Sequence, residues 1–336
     1  MNNFAYAQPR RLESLLALLS PTPGETEVLA GGTDLVGLLR ERVLTPERVV
    51  NVCDVEELQG VHEVPEGGAL ALGAAMRLDE LHEHSLLESY TALHQAICGL
   101  RSLQYQAQST LGGELCRRPR CWYFRAGHGL LADGGRLIRE GDNRYHAIFD
   151  NAGPAKFVSA SRLAPALIAL DARAVLVGPE PEYLSVVPLE ELYQTPIDES
   201  QRETILQPNQ VLAQILLPQA DASAAVASAA YEVRHGEGPD DPLAAAAASL
   251  RIESGVVRQA KLVLGQVAPT PRVADTASRL LVGHAVDQLR AEAAGRAAVA
   301  DATPLSRNEY KVQLAEVAAT RAILKAAGLA TGGFDE

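Results

Sequence analysis

Val28-Leu29-Ala30-Gly31-Gly32-Thr33-Asp34-Leu35 is an apolar run that breaks into two glycines, a hydroxyl and a carboxylate before a second apolar segment begins. The pattern reads as strand, tight turn and helix start. Residues without Cβ admit positive φ and let a ligand approach bare peptide N–H groups. Thr33 or Asp34 can cap the helix that Leu35, Leu38 and Leu39 continue, leaving N–H groups and the positive helix end to face an anion such as phosphate. A plain capped turn has the same signature. The spacing is neither G-x-G-x-x-G nor G-x-x-x-x-G-K-[ST], so no Rossmann or P-loop assignment is licensed. A second pair stands about eighty residues downstream, in Ser109-Thr110-Leu111-Gly112-Gly113-Glu114-Leu115-Cys116, and two such loops can clamp one long ligand.

Other chemistry is sparse. There is no G-x-S-x-G elbow and no H-E-x-x-H, and no cysteine stands in a defensible pattern with a base. His62, His82, His84 and His94 read as solvated helix or loop positions rather than a ligand set. Cys53, Cys98, Cys116 and Cys121 are too few and scattered for a disulfide framework, so reduced thiols are expected. Arg117, Arg118, Arg120 and Arg125 surround Trp122, Tyr123 and Phe124, a mixture that could stack on nucleic acid. The net charge of -12 argues against that partner and against an anionic membrane surface. No run approaches the roughly 18 apolar residues of a membrane span. The Met1-Asn2-Asn3-Phe4 start has no basic n-region or apolar h-region, so a cytoplasmic chain is expected.

Elements that could position the glycine pairs follow from periodicity. Leu12, Leu15, Leu16 and Leu19 form a helical stripe stopped by Pro21-Thr22-Pro23-Gly24. Strands are expected at 48–52, 69–74, 146–149, 156–158, 173–177 and 211–217, with an amphipathic helical region at 78–100 and, after Ser161-Arg162-Leu163-Ala164-Pro165, a helix through Leu170. Helices are expected at 272–281, 285–293 and 307–327. At 336 residues and 47% hydrophobic content, two domains can each fill a core.

Both glycine loops, together with Ser161-Arg162-Leu163-Ala164-Pro165-Ala166-Leu167, Val267-Ala268-Pro269-Thr270-Pro271-Arg272 and Tyr310-Lys311-Val312, resemble the FAD-binding medium subunit of the xanthine dehydrogenase and carbon monoxide dehydrogenase family of molybdenum hydroxylases. The matches keep family order from near residue 28 to near residue 322. Arg118-Pro119-Arg120-Cys121-Trp122-Tyr123-Phe124-Arg125 is similar to the branch holding the flavin subunits of aldehyde oxidoreductases and 4-hydroxybenzoyl-CoA reductases.

The resemblance implies an α+β fold: a two-lobed FAD-binding domain of the PCMH or vanillyl-alcohol-oxidase-like type at 1–218, with lobes at about 1–55 and 56–218. A C-terminal α+β domain at 219–336, a small antiparallel sheet plus helices, follows. It turns 243–252 and 261–264 into strands, although propensity alone makes the alanine run at 244–248 helical. FAD would be held by Leu29, Ala30, Gly31, Gly32, Thr33, Asp34 and Leu35, by Thr110, Gly112, Gly113 and Glu114, and by Ser161, Arg162 and Leu163. The glycine backbones would bind pyrophosphate, Thr33 and Thr110 would donate hydroxyl hydrogen bonds, and Asp34 would orient the loop or accept from ribose or an amide. No residue of this chain is expected to be catalytic or to bind metal.

Partners would be a molybdopterin-binding large subunit and a 2Fe–2S small subunit, the flavin passing electrons onward to an acceptor; relatives of this type can be exported on a partner's signal. Some relatives bind a 4Fe–4S cluster through four cysteines near 117–125. Here Cys116 and Cys121 cannot supply four thiolates, even with His128 and His146 nearby, so no cluster is expected and 126–143 should be a remodelled loop. A zinc site from Cys116, Cys121 and His128 lacks standard spacing.

Glu114 replaces a common Asn and Arg162 a common Asp, and the two could pair with each other. A familiar lysine near the C-terminal domain's start is not evident, since Tyr231 is followed by Glu232 and Val233. Two rivals remain: a scaffold subunit that has lost FAD, which the departures at Glu114 and Arg162 would favour, and a free-standing flavin oxidoreductase, which would need a substrate base near the flavin that the sequence does not offer.

Overall fold

In the computed structural model, residues 1–65, 68–219, 226–236, 238 and 240–332 are described. The first glycine pair follows β2 (Thr26–Leu29) and precedes α2 (Leu35–Arg40), as the pattern predicts. β2 and β1 (Ala5–Ala7) both pair in parallel with β3 (Arg48–Asn51), giving the sheet order β1-β3-β2. The stripe helix is α1 (Leu12–Leu16), whose Leu15 and Leu16 are buried.

A second sheet has the order β4-β5-β8-β6-β7, from β4 (Val61–Glu63), β5 (Leu70–Gly73), β6 (Arg173–Val177), β7 (Leu184–Pro188) and β8 (Val211–Leu217). β4 and β7 were not read from the sequence: each lies at an edge and half faces solvent, so its apolar signal is weak. The region 78–100 is not one helix. α3 (Leu78–Glu83) stops at His84, whose ring accepts from the Leu86 amide, and α4 (Thr91–Gly99) starts afresh. That break leaves Leu86 turned outward, 42% exposed.

The short helix α5 (Leu103–Gln108) precedes the second glycine pair, α6 (Leu111–Leu115) contains it, and α7 (Trp122–Arg125) forms the basic aromatic segment that follows. The expected remodelled loop folds into turns and α8 (Arg136–Glu140), with Leu130, Leu131 and Ile138 buried beside Phe124 and Phe157. Strands expected at 146–149 and 156–158 are irregular. Ala147 N–H donates to Lys156 O at 2.9 Å, but the Ile148 amide turns to Val267 O at 2.8 Å, so no ladder propagates.

Helix α9 (Ala164–Ala169) is wholly buried between the second sheet and a third. That third sheet is antiparallel, order β12-β11-β10-β9, from β9 (Val226–Val233), β10 (Ala244–Glu253), β11 (Val256–Gly265) and β12 (Arg272–Val273). Because Arg272 and Val273 pair with β11, the expected helix at 272 begins only with α10 (Asp275–Leu281). α11 (Gln288–Ala298) and α12 (Tyr310–Ala326) complete the packing. The alanine run is strand because β10 is covered on both faces: Ala244 to Ala248 are each at most 5% exposed, and α12 and α9 pack against the strand. Only small side chains permit so close an approach from two layers, and tertiary burial overrides alanine's helix preference.

Candidate functional site

The two glycine loops meet. A Cβ on Gly31 would stand 1.6 Å from the Gln108 carbonyl oxygen, so only glycine lets the backbone before the second pair lie against the first. Ser109 Oγ and Thr33 Oγ1 are hydrogen-bonded at 3.1 Å across the same junction. Joined in this way, the loops wall a cavity of about 440 Å³, lined elsewhere by residues that include Val52, Leu58, Cys116, Arg118, Arg202 and Leu212.

Their backbones are used differently. Gly32 has φ +74°, where glycine is favoured. Among the described residues, the amides of Gly32, Thr33 and Asp34 donate to no protein acceptor. At the second loop Leu111 N–H donates to Met76 O, Gly112 N–H to Ala74 O and Glu114 N–H to Thr110 O. Gly113 N–H donates to Thr110 Oγ1 at 3.1 Å. Thr110 is thus the N-cap of α6, whereas neither Thr33 nor Asp34 caps α2 with its side chain.

The expected cap fails because Asp34 is taken by the basic aromatic segment. Its Oδ1 receives Arg125 Nη2 at 2.6 Å and its Oδ2 the Arg118 amide at 2.8 Å. Arg118 itself pairs with Glu203 at 2.6 Å, and Arg117 reaches Asp241 at 3.1 Å. The arginines that could have formed a nucleic-acid surface are therefore largely neutralised and, at Arg117 and Arg118, withdrawn from solvent.

Of the residues singled out in the sequence, Ala30, Gly31, Gly32, Thr33, Asp34, Leu35, Thr110, Gly112 and Gly113 line the cavity; Leu29 lies at the end of β2 behind it. Glu114, Ser161, Arg162 and Leu163 do not line it. The proposed Glu114–Arg162 side-chain pair is replaced by another arrangement. Glu114 Oε1 receives the Arg162 backbone amide at 3.0 Å and Arg117 Nη1 at 3.3 Å, while the Arg162 guanidinium grips Glu232 at 3.1 Å through both Nε and Nη2. Two bonds in a fixed fork hold Arg162 toward Glu232, which also pairs with Arg234. Desolvation lifts the Glu114 pKa above the ordinary carboxylate value against the pull of Arg117, and its Oε2 is buried without a hydrogen-bond partner. Ser161 Oγ accepts from Ala164 N–H at the start of α9, and Leu163 is core.

The thiols are not activated. Burial pushes Cys116 up to about 12, and Cys121 Sγ lies 3.1 Å from His146 Nε2. Burial also drives the His146 ring down to about 4, so the Cys121–His146 pair is neutral at pH 7. Sequence reasoning missed Arg118, Arg125, Glu203 and Arg202 as residues of the site's frame; only the charge density of 117–125 hinted at them.

Residues 2–220 match the family model described as the FAD binding domain in molybdopterin dehydrogenase, and residues 214–326 match the CO dehydrogenase flavoprotein C-terminal domain. The chain belongs to this family of FAD-binding medium subunits of molybdenum hydroxylases. It is 28% identical over 223 residues to the aldehyde oxidoreductase FAD-binding subunit PaoB of Escherichia coli (strain K12), covering 65% of this chain and 69% of that one. It is 26% identical to the carbon monoxide dehydrogenase medium chain of Afipia carboxidovorans, covering 96% of each. The fold matches that of carbon monoxide dehydrogenase from Hydrogenophaga pseudoflava with TM-score 0.75, at 24% identity over 97% of this chain and 98% of that one. Among the described residues no helix is long and apolar enough to cross a membrane.

Proposed function

We propose that this chain binds FAD in the cavity between its two glycine loops and serves as the electron-transfer subunit of a molybdopterin-dependent hydroxylase. The observation that carries the reading is the set of unpartnered amides at Gly32, Thr33 and Asp34 on the cavity wall, suited to the diphosphate of a dinucleotide. Asp34 orients that loop, and Arg125 together with the Arg118 amide neutralises its charge, so an anion can approach. Leu29, Ala30 and Leu35 set the loop on β2 and α2. Thr110, Gly112 and Gly113 complete the cavity wall, and a Cβ on Gly113 would meet Thr110 Oγ1 at 2.9 Å. Glu114 and Arg162 join the second loop to Glu232 of the C-terminal sheet, while the largely separate cores of the two parts support a division at 1–218 and 219–336.

Bound FAD would accept electrons and pass them on; the chain's own residues bind it and exclude water. Electrons would arrive from a 2Fe–2S small subunit after substrate oxidation on a molybdopterin-binding large subunit. Exposed Tyr183 and Leu184, at the open edge of the second sheet, support a subunit that is covered in its complex. Glu114 and Arg162, the departures that favoured an FAD-free scaffold, are occupied by Arg117 and Glu232 away from the cavity. Among the described residues the carboxylates on the cavity wall are engaged, Glu27 with Arg202, Asp34 with Arg125, Glu203 with Arg118 and Glu199 with the Leu130 and Leu131 amides, which speaks against the free base a free-standing oxidoreductase would need.

The test is an absorbance spectrum of the purified chain before and after dithionite. Flavin bands near equimolar with protein, bleached on reduction, are expected. A colourless chain that fails to take up added FAD would sink the reading, and a brown absorbance left after accounting for flavin would reveal a cluster.

A further inference from the structure

Glu199 lines the cavity but belongs to neither glycine loop. It stands in a strap that joins the short 3-10 helix Leu189–Leu192 to β8, and Glu199, Ser200, Gln201, Arg202, Glu203 and Thr204 of that strap all line the cavity. Asp198, Glu199 and Ser200 are exposed while Glu203 and Thr204 are buried, so the strap has solvent on one side and the cavity on the other. We propose that the strap is a gate on the cavity and that the Glu199 carboxylate is its latch. Resting on the reading of the cavity as a ligand site, this device sets how fast the ligand enters and leaves.

Root and tip of the strap are held differently. At the root, Gln194 N–H donates to Glu203 O at 3.0 Å and Ile205 N–H to Leu192 O at 2.9 Å. Gln194 Nε2 adds bonds to the carbonyl oxygens of Arg202 and Thr204, both at 3.0 Å, and Ile205 packs against the core that holds Leu192. The tip lacks such anchors. Asp198 Oδ1 receives the Ser200 amide, Gln201 N–H donates to Asp198 O and Ile197 N–H to Gln201 Oε1, all within the strap. Ile197, the large apolar side chain there, is 69% exposed rather than packed. A segment with few buried apolar contacts opens locally unless something fastens it.

Glu199 is that fastening. Its Oε2 receives Leu130 N–H and its Oε1 receives Leu131 N–H, each at 2.8 Å, so one carboxylate closes on two adjacent amides of the turn before α8. Leu130 also lines the cavity, and the two bonds therefore join two parts of its wall. Bonds to an ionised acceptor are the strong kind. Gly129 makes the seat: its φ is +79°, and a Cβ there would stand 2.7 Å from Glu199 Oε1. Arg202 adds a looser tie, 3.5 Å to Glu27 of β2.

Cys116 reports on the gate from inside. It lines the cavity and lies close enough to Arg202 and Glu203 to feel both charges, and burial holds its thiol at about 12. Only the thiolate is alkylated, so at neutral pH the reaction is slow and its rate follows how often the cavity is open.

Labelling of the ligand-free full chain with N-ethylmaleimide, followed peptide by peptide by mass spectrometry, tests the gate without flavin. Glu199→Gln keeps the side chain's size but turns an N–H donor onto one of the two amides, and Gly129→Ala pushes the carboxylate from its seat. Each should speed Cys116 labelling about tenfold or more, the equivalent of losing one hydrogen bond to a charged group. Cys98, already exposed, and Cys121, buried elsewhere, should keep their wild-type rates. An unchanged Cys116 rate in both variants would overturn the gate, and so would an equal rise at Cys121, which marks general loosening. Stopped-flow mixing with FAD reads the latch a second way. A latch that closes alike over the empty and the filled cavity shifts rates rather than affinity, so association and dissociation should both quicken in Glu199→Gln, each about fivefold or more. Faster dissociation alone would make Glu199 an ordinary wall residue and overturn the latch. Should the wild-type chain take up no FAD, the flavin reading falls while the Cys116 rates still decide the gate.

Discussion

The loops at Gly31-Gly32 and Gly112-Gly113 look alike in sequence, each an apolar residue or two followed by paired glycines and a carboxylate within two positions. In the fold the first keeps the Gly32, Thr33 and Asp34 amides unpartnered, whereas the second commits those of Leu111, Gly112, Gly113 and Glu114 to Met76, Ala74 and Thr110. Their carboxylates differ as well. Asp34 ties the open loop to Arg125 at the cavity wall, while Glu114 is buried beside Arg117 and turned from the cavity. One glycine pair offers donors and the other supplies the surface that holds it still, so a repeated dipeptide does not make a repeated role.

That contrast can be broken most severely at Gly31. Gly31→Ala drives a methyl into the Gln108 carbonyl, and we expect destabilisation above about 3 kcal/mol in urea unfolding together with loss of FAD uptake. An unchanged midpoint would mean the loops do not depend on their contact. Asp34→Ala leaves Arg125 and the Arg118 amide without their acceptor; we expect about 2 kcal/mol and at least about tenfold weaker FAD binding by fluorescence titration. If affinity is untouched, Asp34 does not set the open loop.

A third prediction uses pH. His146 binds protons at an ordinary 6.5 when unfolded but only near about 4 when folded. Between those values the unfolded chain holds the extra proton, so stability should fall as pH drops from about 6.5 to about 4, by on the order of 1–3 kcal/mol. His146→Gln should flatten that slope in urea titrations at stepped pH; an equal slope in wild type and variant would contradict it.

Thr110→Val deletes the Gly113 cap while keeping shape, and should cost about 1 kcal/mol with FAD affinity reduced less than about tenfold. The smallest effect should come from Glu114→Gln, with FAD affinity within about threefold of wild type, because its neighbours are Arg117 and the Arg162 amide. A larger loss would return Glu114 to the ligand's surroundings.

The strand–turn–helix at the first pair, β3, β5, β6, β8 and the buried α9 were legible because local period and punctuation agree with burial there. The region 78–100 misled because its leucines keep helical spacing across a break made by the His84 ring. The alanine run misled propensity because two layers press on β10.

By itself the sequence determined where apolar runs stop at glycine, which thiols are too few to form a framework, and, through motif order, the family. Those are properties of neighbours along the chain. Only the tertiary structure decided that Asp34 answers to Arg125, that Arg162 turns from Glu114 to Glu232, and that two similar glycine pairs divide their tasks. Each of those outcomes depends on which distant groups desolvate one another, and no local pattern encodes that.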